Sequence, residues 1–250
     1  MNVFRFKQFE VRNELSAMKV NTDGVLLGAL APVRGPSRRV LDIGTGTGTI
    51  ALMLAQRLES AGGEQDTDII GIDIDADAAA EAELNFKASR WAERLTALNI
   101  SLEEFGERER QSLAGAYSRK FDLIVSNPPY YDSSLTNPDE RKTLARHTGN
   151  SLSYREVLDF AAESLSECGE LALVLPAEDE QALLRYGRSC GLYASGIVRI
   201  RTVERKPFRR IVVTFARTRQ ETVGRTLTIM EKGKYTLEYI SLVKDFYLFA

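Results

Sequence analysis

Short apolar runs recur along this chain, and most are followed by a stretch with helical spacing. RVLDIG (39–44) ends in Asp and Gly and reads as a buried strand. TIALMLAQRLES (49–60) places Ile50, Met53, Leu54 and Leu58 on one helical face. After the loop AGGEQDT come a strand, DIIGIDID (68–75), and an alanine- and glutamate-rich helix, 76–89. LTALNIS (95–101) and FDLIVS (121–126) read as further strands, and 103–120 as a polar surface connection, part helix. A helix at 154–165, a strand at 169–176 and a helix at 178–191 closed by Gly191 continue the alternation. LYASGIVRIRTV and RRIVVTFAR then follow with no helix between them, as an antiparallel pair does. The pattern predicts an α/β fold: a seven-stranded, mostly parallel sheet with an antiparallel edge hairpin and helices on both faces. Residues 1–38 precede the first core strand as an extension folded onto it, and the aromatic tail YTLEYISLVKDFYLFA packs against the sheet.

Composition narrows the partners. The 250 residues are 44% apolar and 27% charged, with net charge −2, so no global basic field advertises nucleic acid, although a local patch suffices for binding. Two cysteines, Cys168 and Cys190, make neither a disulfide framework nor a metal site and suit a reducing cytoplasm. The first residues, MNVFRFKQFEV, lack a secretory apolar region, and no apolar run approaches the roughly 20 residues that span a bilayer. A cytoplasmic monomer without metal or membrane contact is expected.

The loop between the first core strand and its helix is LDIGTGTGTIAL, with Asp42 and then Gly44, Gly46 and Gly48. Glycine permits a sharp turn and close approach of a ligand to backbone. The spacing differs from the G-x-G-x-x-G of dinucleotide sites and lacks the Lys-Ser/Thr of a phosphate loop, which disfavours a nicotinamide oxidoreductase. It resembles the class I S-adenosylmethionine-dependent methyltransferases, which implies a Rossmann-like fold with the loop curved around the cofactor. The resemblance assigns the ribose hydroxyls to Asp73, at the next strand end, because a carboxylate accepts two hydrogen bonds at once. Asp75 is the nearby competitor for that role; read structurally, it caps the next helix. The family's acidic residue near the adenine has Ser101 at its position here, with Glu103 and Glu104 beyond.

NPPY (127–130) ends the fourth strand and resembles the signature of methyltransferases acting on planar nitrogens. Such a nitrogen is a poor nucleophile because its lone pair is delocalised. The resemblance gives the Asn127 side-chain oxygen and the Pro128 carbonyl the two N–H bonds of the amine, so the nitrogen can pyramidalise and its developing positive charge is stabilised. Pro129 stiffens the turn, Tyr130 stacks on the ring, and Tyr131 packs. His147, the single histidine, is structural or faces substrate.

The signature serves N6-adenine, N4-cytosine, N2-guanine and glutamine-N5 enzymes alike. Release-factor glutamine enzymes carry a longer helical domain before the glycine loop than the forty or so residues here. KQF, MKVNTDGVLLGALAP (18–32), SNPPYY, ARHTGNSLSY (145–154) and the tail together resemble the bacterial tRNA valine-1 adenine-37 N6-methyltransferase family. That resemblance implies one methyltransferase domain over 1–250, with a core at 39–250, and a tRNA substrate. It makes Lys19, Thr22 and Asp23 part of a roof over the cofactor; read alone, Thr22 or Asp23 caps a helix. An rRNA guanine, a DNA adenine, a release-factor glutamine, or a non-catalytic RNA- or cofactor-binding role are the alternatives. RNA needs phosphate contacts, and Arg199, Arg201, Arg205, Lys206, Arg209 and Arg210, with Arg141, Lys142 and Arg146 and with Arg5, Lys7 and Lys19, predict a basic rim. The target base would have to leave its stack.

Overall fold

The computed structural model describes residues 2–16, 18–33, 39–62, 67–112, 120–129 and 152–249. Strands β1 (Val3–Arg5) and β2 (Glu10–Arg12) form a small antiparallel hairpin. The main sheet contains β3 (Arg39–Ile43), β4 (Asp68–Asp73), β5 (Leu95–Asn99), β6 (Phe121–Ser126), β7 (Leu165–Pro176), β8 (Tyr193–Val203), β9 (Arg210–Ala216), β10 (Val223–Glu231) and β11 (Lys234–Tyr235). Its order is β11-β10-β8-β9-β7-β6-β3-β4-β5. Only β9 and β11 run against the others.

The expected seven strands are β3 to β9. Two details differ. The β8–β9 pair is not an edge hairpin: β9 lies between β7 and β8, and β10 pairs with the outer side of β8. Among the described residues the sheet therefore has nine strands. Strand β10 escapes the hydrophobic pattern because Leu227 is its one buried side chain, and an edge strand needs little more. The strand expected at 169–176 begins at Leu165, directly after the preceding helix. The register of β6 against β7 shifts there, and Gly169 lies so close to the Phe121 carbonyl that a Cβ would sit 2.6 Å from it.

Period-two alternation sorts the strands onto two cores. Val40, Ile69, Leu123 and Val174 face helices α1 (Thr22–Leu30), α2 (Thr49–Ser60), α3 (Ala76–Ala88) and α7 (Leu237–Val243). Leu41, Ile70, Ile124 and Leu173 face α4 (Leu102–Ser112), α5 (Tyr154–Ser164) and α6 (Glu180–Ser189). Each such side chain contributes about 1.5–3 kcal/mol when fully buried. The tail does pack against the sheet through α7 on β10, and it also meets the head: Phe6 bridges to Tyr247 and their rings stack 5.9 Å apart. Among the described residues, no helix is long and apolar enough to cross a membrane.

Candidate active site

Strand β3 has β4 on one side and β6 on the other, so the chain departs to both sides of it. A crevice forms at the carboxyl ends of strands at such a point. Here it is a cavity of about 290 Å³, near the lower end of the range for small-ligand sites. Its walls come from the glycine loop and the start of α2, the ends of β4 and β6, the start of α4, and Ser16, Met18 to Asn21 and Gly24 of the head.

The glycine loop turns through positive φ at Gly44 (72°), Gly46 (56°) and Gly48 (78°). The N–H groups of Gly44 and Thr45 both donate to the Ile72 carbonyl at 2.9 Å, which ties the loop to the end of β4. Gly44 and Gly46 line the cavity. Gly48 does not: it starts α2, and a Cβ there would lie 2.4 Å from the Phe86 ring. The packing of α2 against Phe86 by itself requires glycine there. Asp42 is likewise off the wall. It is fully buried behind the loop and accepts a hydrogen bond from the Thr45 hydroxyl at 2.8 Å. Burial pushes its carboxyl up to about 7 against that hydrogen bond.

Asp73 is on the wall. Its Oδ2 accepts from the Gly46 N–H at 2.9 Å and its Oδ1 from the Asp75 N–H at 3.0 Å. A carboxylate oxygen has a further lone pair, so the group can still accept from a ligand diol. Burial raises its pKa above the usual carboxylate value. Asp75 caps α3 through the N–H groups of Asp77 and Ala78, as expected. Ser101 lines the cavity, but it ends no strand: β5 stops at Asn99 and Ser101 caps α4. Its Oγ accepts from the Glu104 N–H at 3.2 Å and its N–H donates to the Glu104 carboxylate at 3.3 Å, a reciprocal box. The carboxylate on the wall beside it is Glu103.

Asn127 and Pro129 line the same cavity, and Pro128, between them in the chain, is buried. The Ser126 hydroxyl donates to the Ile43 carbonyl at 2.8 Å, which locks the end of β6 to the end of β3 and sets Asn127 beside the glycine loop. The Asn127 amide nitrogen points at the Met18 sulfur, 3.8 Å away. Tyr130, Tyr131, Arg141, Lys142, Arg146, His147 and most of the 145–154 segment lie outside the described residues.

The head closes one side with Ser16, Met18, Lys19, Val20, Asn21 and Gly24. Lys19 reaches the wall, and its ammonium donates to the Glu14 carbonyl at 2.7 Å. Thr22 and Asp23 are not on the wall. Neither caps α1: that residue is Asn21, in extended backbone, whose Oδ1 accepts from Gly24 N–H at 2.9 Å. Thr22 is exposed, and Asp23 is paired with Arg210 at 2.7 Å. Sequence reasoning missed Ser16 and Met18, and within the KVNTDG segment expected to roof the pocket it did not single out Asn21. The only local signal was the Asn at a helix start, one position before the residues chosen.

Comparison with known proteins agrees with this geometry. Residues 16–183 match the model of the methyltransferase small domain. A protein of Trichodesmium erythraeum named tRNA1(Val) (adenine(37)-N6)-methyltransferase is 37% identical over 99% of this chain and 98% of its own. One of the same name from Actinobacillus succinogenes is 39% identical over 99% and 98%. Among solved structures, a predicted O-methyltransferase from Agrobacterium tumefaciens superposes with a TM-score of 0.65 at 18% identity, over 90% of this chain and 96% of that one. A Listeria monocytogenes chain described as a class I S-adenosylmethionine-dependent methyltransferase gives 0.52 at 17% identity, over 82% and 62%. A class I Rossmann-like sheet, a glycine-lined crevice at its switch point and near full-length relatives converge: the chain belongs to the methyltransferase small domain family.

Proposed function

We propose that this protein methylates the exocyclic N6 of an adenine in tRNA, adenine 37 beside the anticodon of a valine tRNA, as the names of its relatives suggest. The observation that carries the reading is that Asn127 shares one cavity with Gly44, Gly46 and Asp73. The residues suit S-adenosylmethionine: backbone at two positive-φ glycines for close approach and a carboxylate for a ribose diol. When bound, that cofactor supplies an electrophilic methyl group on a sulfonium. Asp73 and the glycine loop would hold it, and Ser101 and Glu103 would lie toward its adenine.

Asn127 Oδ1 and the Pro128 carbonyl would accept the two amine N–H bonds, drawing the nitrogen lone pair out of conjugation. Their partial negative charge stabilises the positive charge that develops on nitrogen. Fixed alignment contributes the rest. Pro129 makes the corner stiff, so little freedom is lost at the moment of transfer. Tyr130 stacks on the target base.

The RNA backbone meets the carboxyl edge of the sheet. The β8–β9 turn lies there, because β8 runs with β7. Of the cations expected in the rim, Arg199 is paired with Glu180, Arg201 with Glu204 and Arg210 with Asp23. Arg205, Lys206 and Arg209 are exposed and have no carboxylate partner within salt-bridge distance among the described residues. The β10–β11 turn sits beside them, since Met230 pairs with Val203, and adds Lys232 and Lys234. Both cysteines are free thiols, in keeping with the reducing cytoplasm; the protein acts there as a monomer.

The test is incubation of the purified protein and S-adenosylmethionine with tRNA, rRNA, DNA and release factor, followed by mass spectrometry of nucleosides and peptides. N6-methyladenosine should form in the tRNA alone. Methyl groups on guanine, on DNA or on glutamine would replace the reading with one of the alternatives, and none on any substrate would reduce it to a binding role.

A further inference from the structure

Glu81, on α3, is 1% exposed and has no part in the chemistry above. A buried carboxylate is costly unless hydrogen bonds replace its water. Three successive backbone N–H groups of the head supply them: Glu14 at 2.6 Å and Leu15 at 2.9 Å to Oε1, and Ser16 at 2.9 Å to Oε2. Asn85, one helical turn later on the same face and also 1% exposed, grips the head again. Its Oδ1 accepts from the Arg12 N–H at 2.8 Å, and its amide donates to the carbonyls of Arg12 at 3.1 Å and of Thr47, in the glycine loop, at 2.9 Å. Asn13 closes the neck of the segment by accepting from the Val20 N–H at 3.0 Å.

What hangs from this seat is the cavity wall. Ser16 donates to the Met18 carbonyl at 3.1 Å, and Ser16, Met18, Lys19 and Asn21 line the cavity. They face the glycine loop closely: a methyl on Gly46 would lie 3.7 Å from Ser16 Oγ and 3.9 Å from the Met18 carbonyl oxygen. Short polar segments without a core of their own stay in place only through such bonds.

We infer that Glu81 is a positioning residue for the cofactor: it clamps the backbone of residues 14–16 so that the head forms one wall of the pocket, and its loss weakens cofactor binding while leaving the transfer step intact. The inference rests on the cofactor reading of the cavity. Titration calorimetry of the full chain with S-adenosylhomocysteine tests it, alongside kcat on tRNA at saturating cofactor and amide exchange over residues 12–21. Glu81→Ala should weaken binding about 10- to 100-fold, the size of losing one or two charge-assisted hydrogen bonds, with kcat within about twofold and faster exchange confined to the head. Glu81→Gln keeps the Oε1 acceptor and opposes its NH₂ to the Ser16 N–H, so it should fall between wild type and Ala. Unchanged affinity in both variants overturns the inference. So does loss of the folding transition in both, which would make Glu81 a staple of the fold. A wild-type chain that binds no S-adenosylhomocysteine would remove the reading of the pocket itself, and this inference with it.

Discussion

Asp42 and Asp73 close neighbouring strands, yet their surroundings give them different work. Asp73 faces the cavity with two backbone N–H groups on its oxygens. Asp42 is sealed behind the loop, and its carboxyl is pushed up to about 7 from 3.8. A carboxyl raised on folding stabilises the fold fully below its unfolded pKa, and that contribution is lost as pH rises through the folded value. Asp42 thus lowers stability progressively between about pH 4 and 7. Asp42→Asn should flatten that part of the curve: the difference in Tm from wild type should move in the variant's favour from pH 5 to pH 7.5. An unchanged difference would mean the group is not ionising from a buried state. Asn127 carries the sharpest chemical test. Asn127→Ala should lower kcat about 10²- to 10³-fold, the usual cost of one aligned transition-state partner, while S-adenosylhomocysteine still binds. Retained transfer with bound cofactor would exclude the amine-gripping role.

At the scale of elements, the start of α1 shows how one residue of offset changes function. Asn21 both caps the helix and lines the cavity. Thr22, next to it, is exposed. Asn21→Ala should cost about 1 kcal/mol of stability, the usual value of a lost cap, and should also weaken cofactor binding. Thr22→Ala should stay within about 0.5 kcal/mol in the same denaturant titration, as surface changes do. The reverse order would show that Thr22, rather than Asn21, caps the helix. The Asp23–Arg210 pair ties this helix to the start of β9, so the head is held from two sides, by α3 and by the late strands.

For the whole molecule, the separation of charge matters more than its sum. The chain carries net charge −2, yet Arg205, Lys206 and Arg209 project from the edge that holds the cavity. Binding through phosphates releases counterions, with a log–log salt slope of about −0.7 to −0.9 per contact. Replacing all three by Ala should reduce the magnitude of the slope for tRNA binding by about 2 units and leave S-adenosylhomocysteine affinity as it was. A slope identical to wild type would place the RNA elsewhere on the surface.

By itself, the sequence determined the alternating sheet, the turn through Gly44 and Gly46, the cap at Asp75 and the strand end that presents Asn127. These are local: strand period, glycine at positive φ and a short polar side chain at a helix start are written within a few residues of one another. Tertiary structure decided the rest. It put Gly48 against Phe86, Asp42 behind the loop and Asp23 on Arg210, contacts that depend on which distant segment arrives beside each residue. It also set β10 on the outside of β8, where one buried leucine is enough because backbone hydrogen bonds do most of the pairing. Glu81 belongs to the same class. Nothing in an alanine- and glutamate-rich helix marks one carboxylate for burial until the head, 65–67 residues earlier in the chain, lays three N–H groups across it.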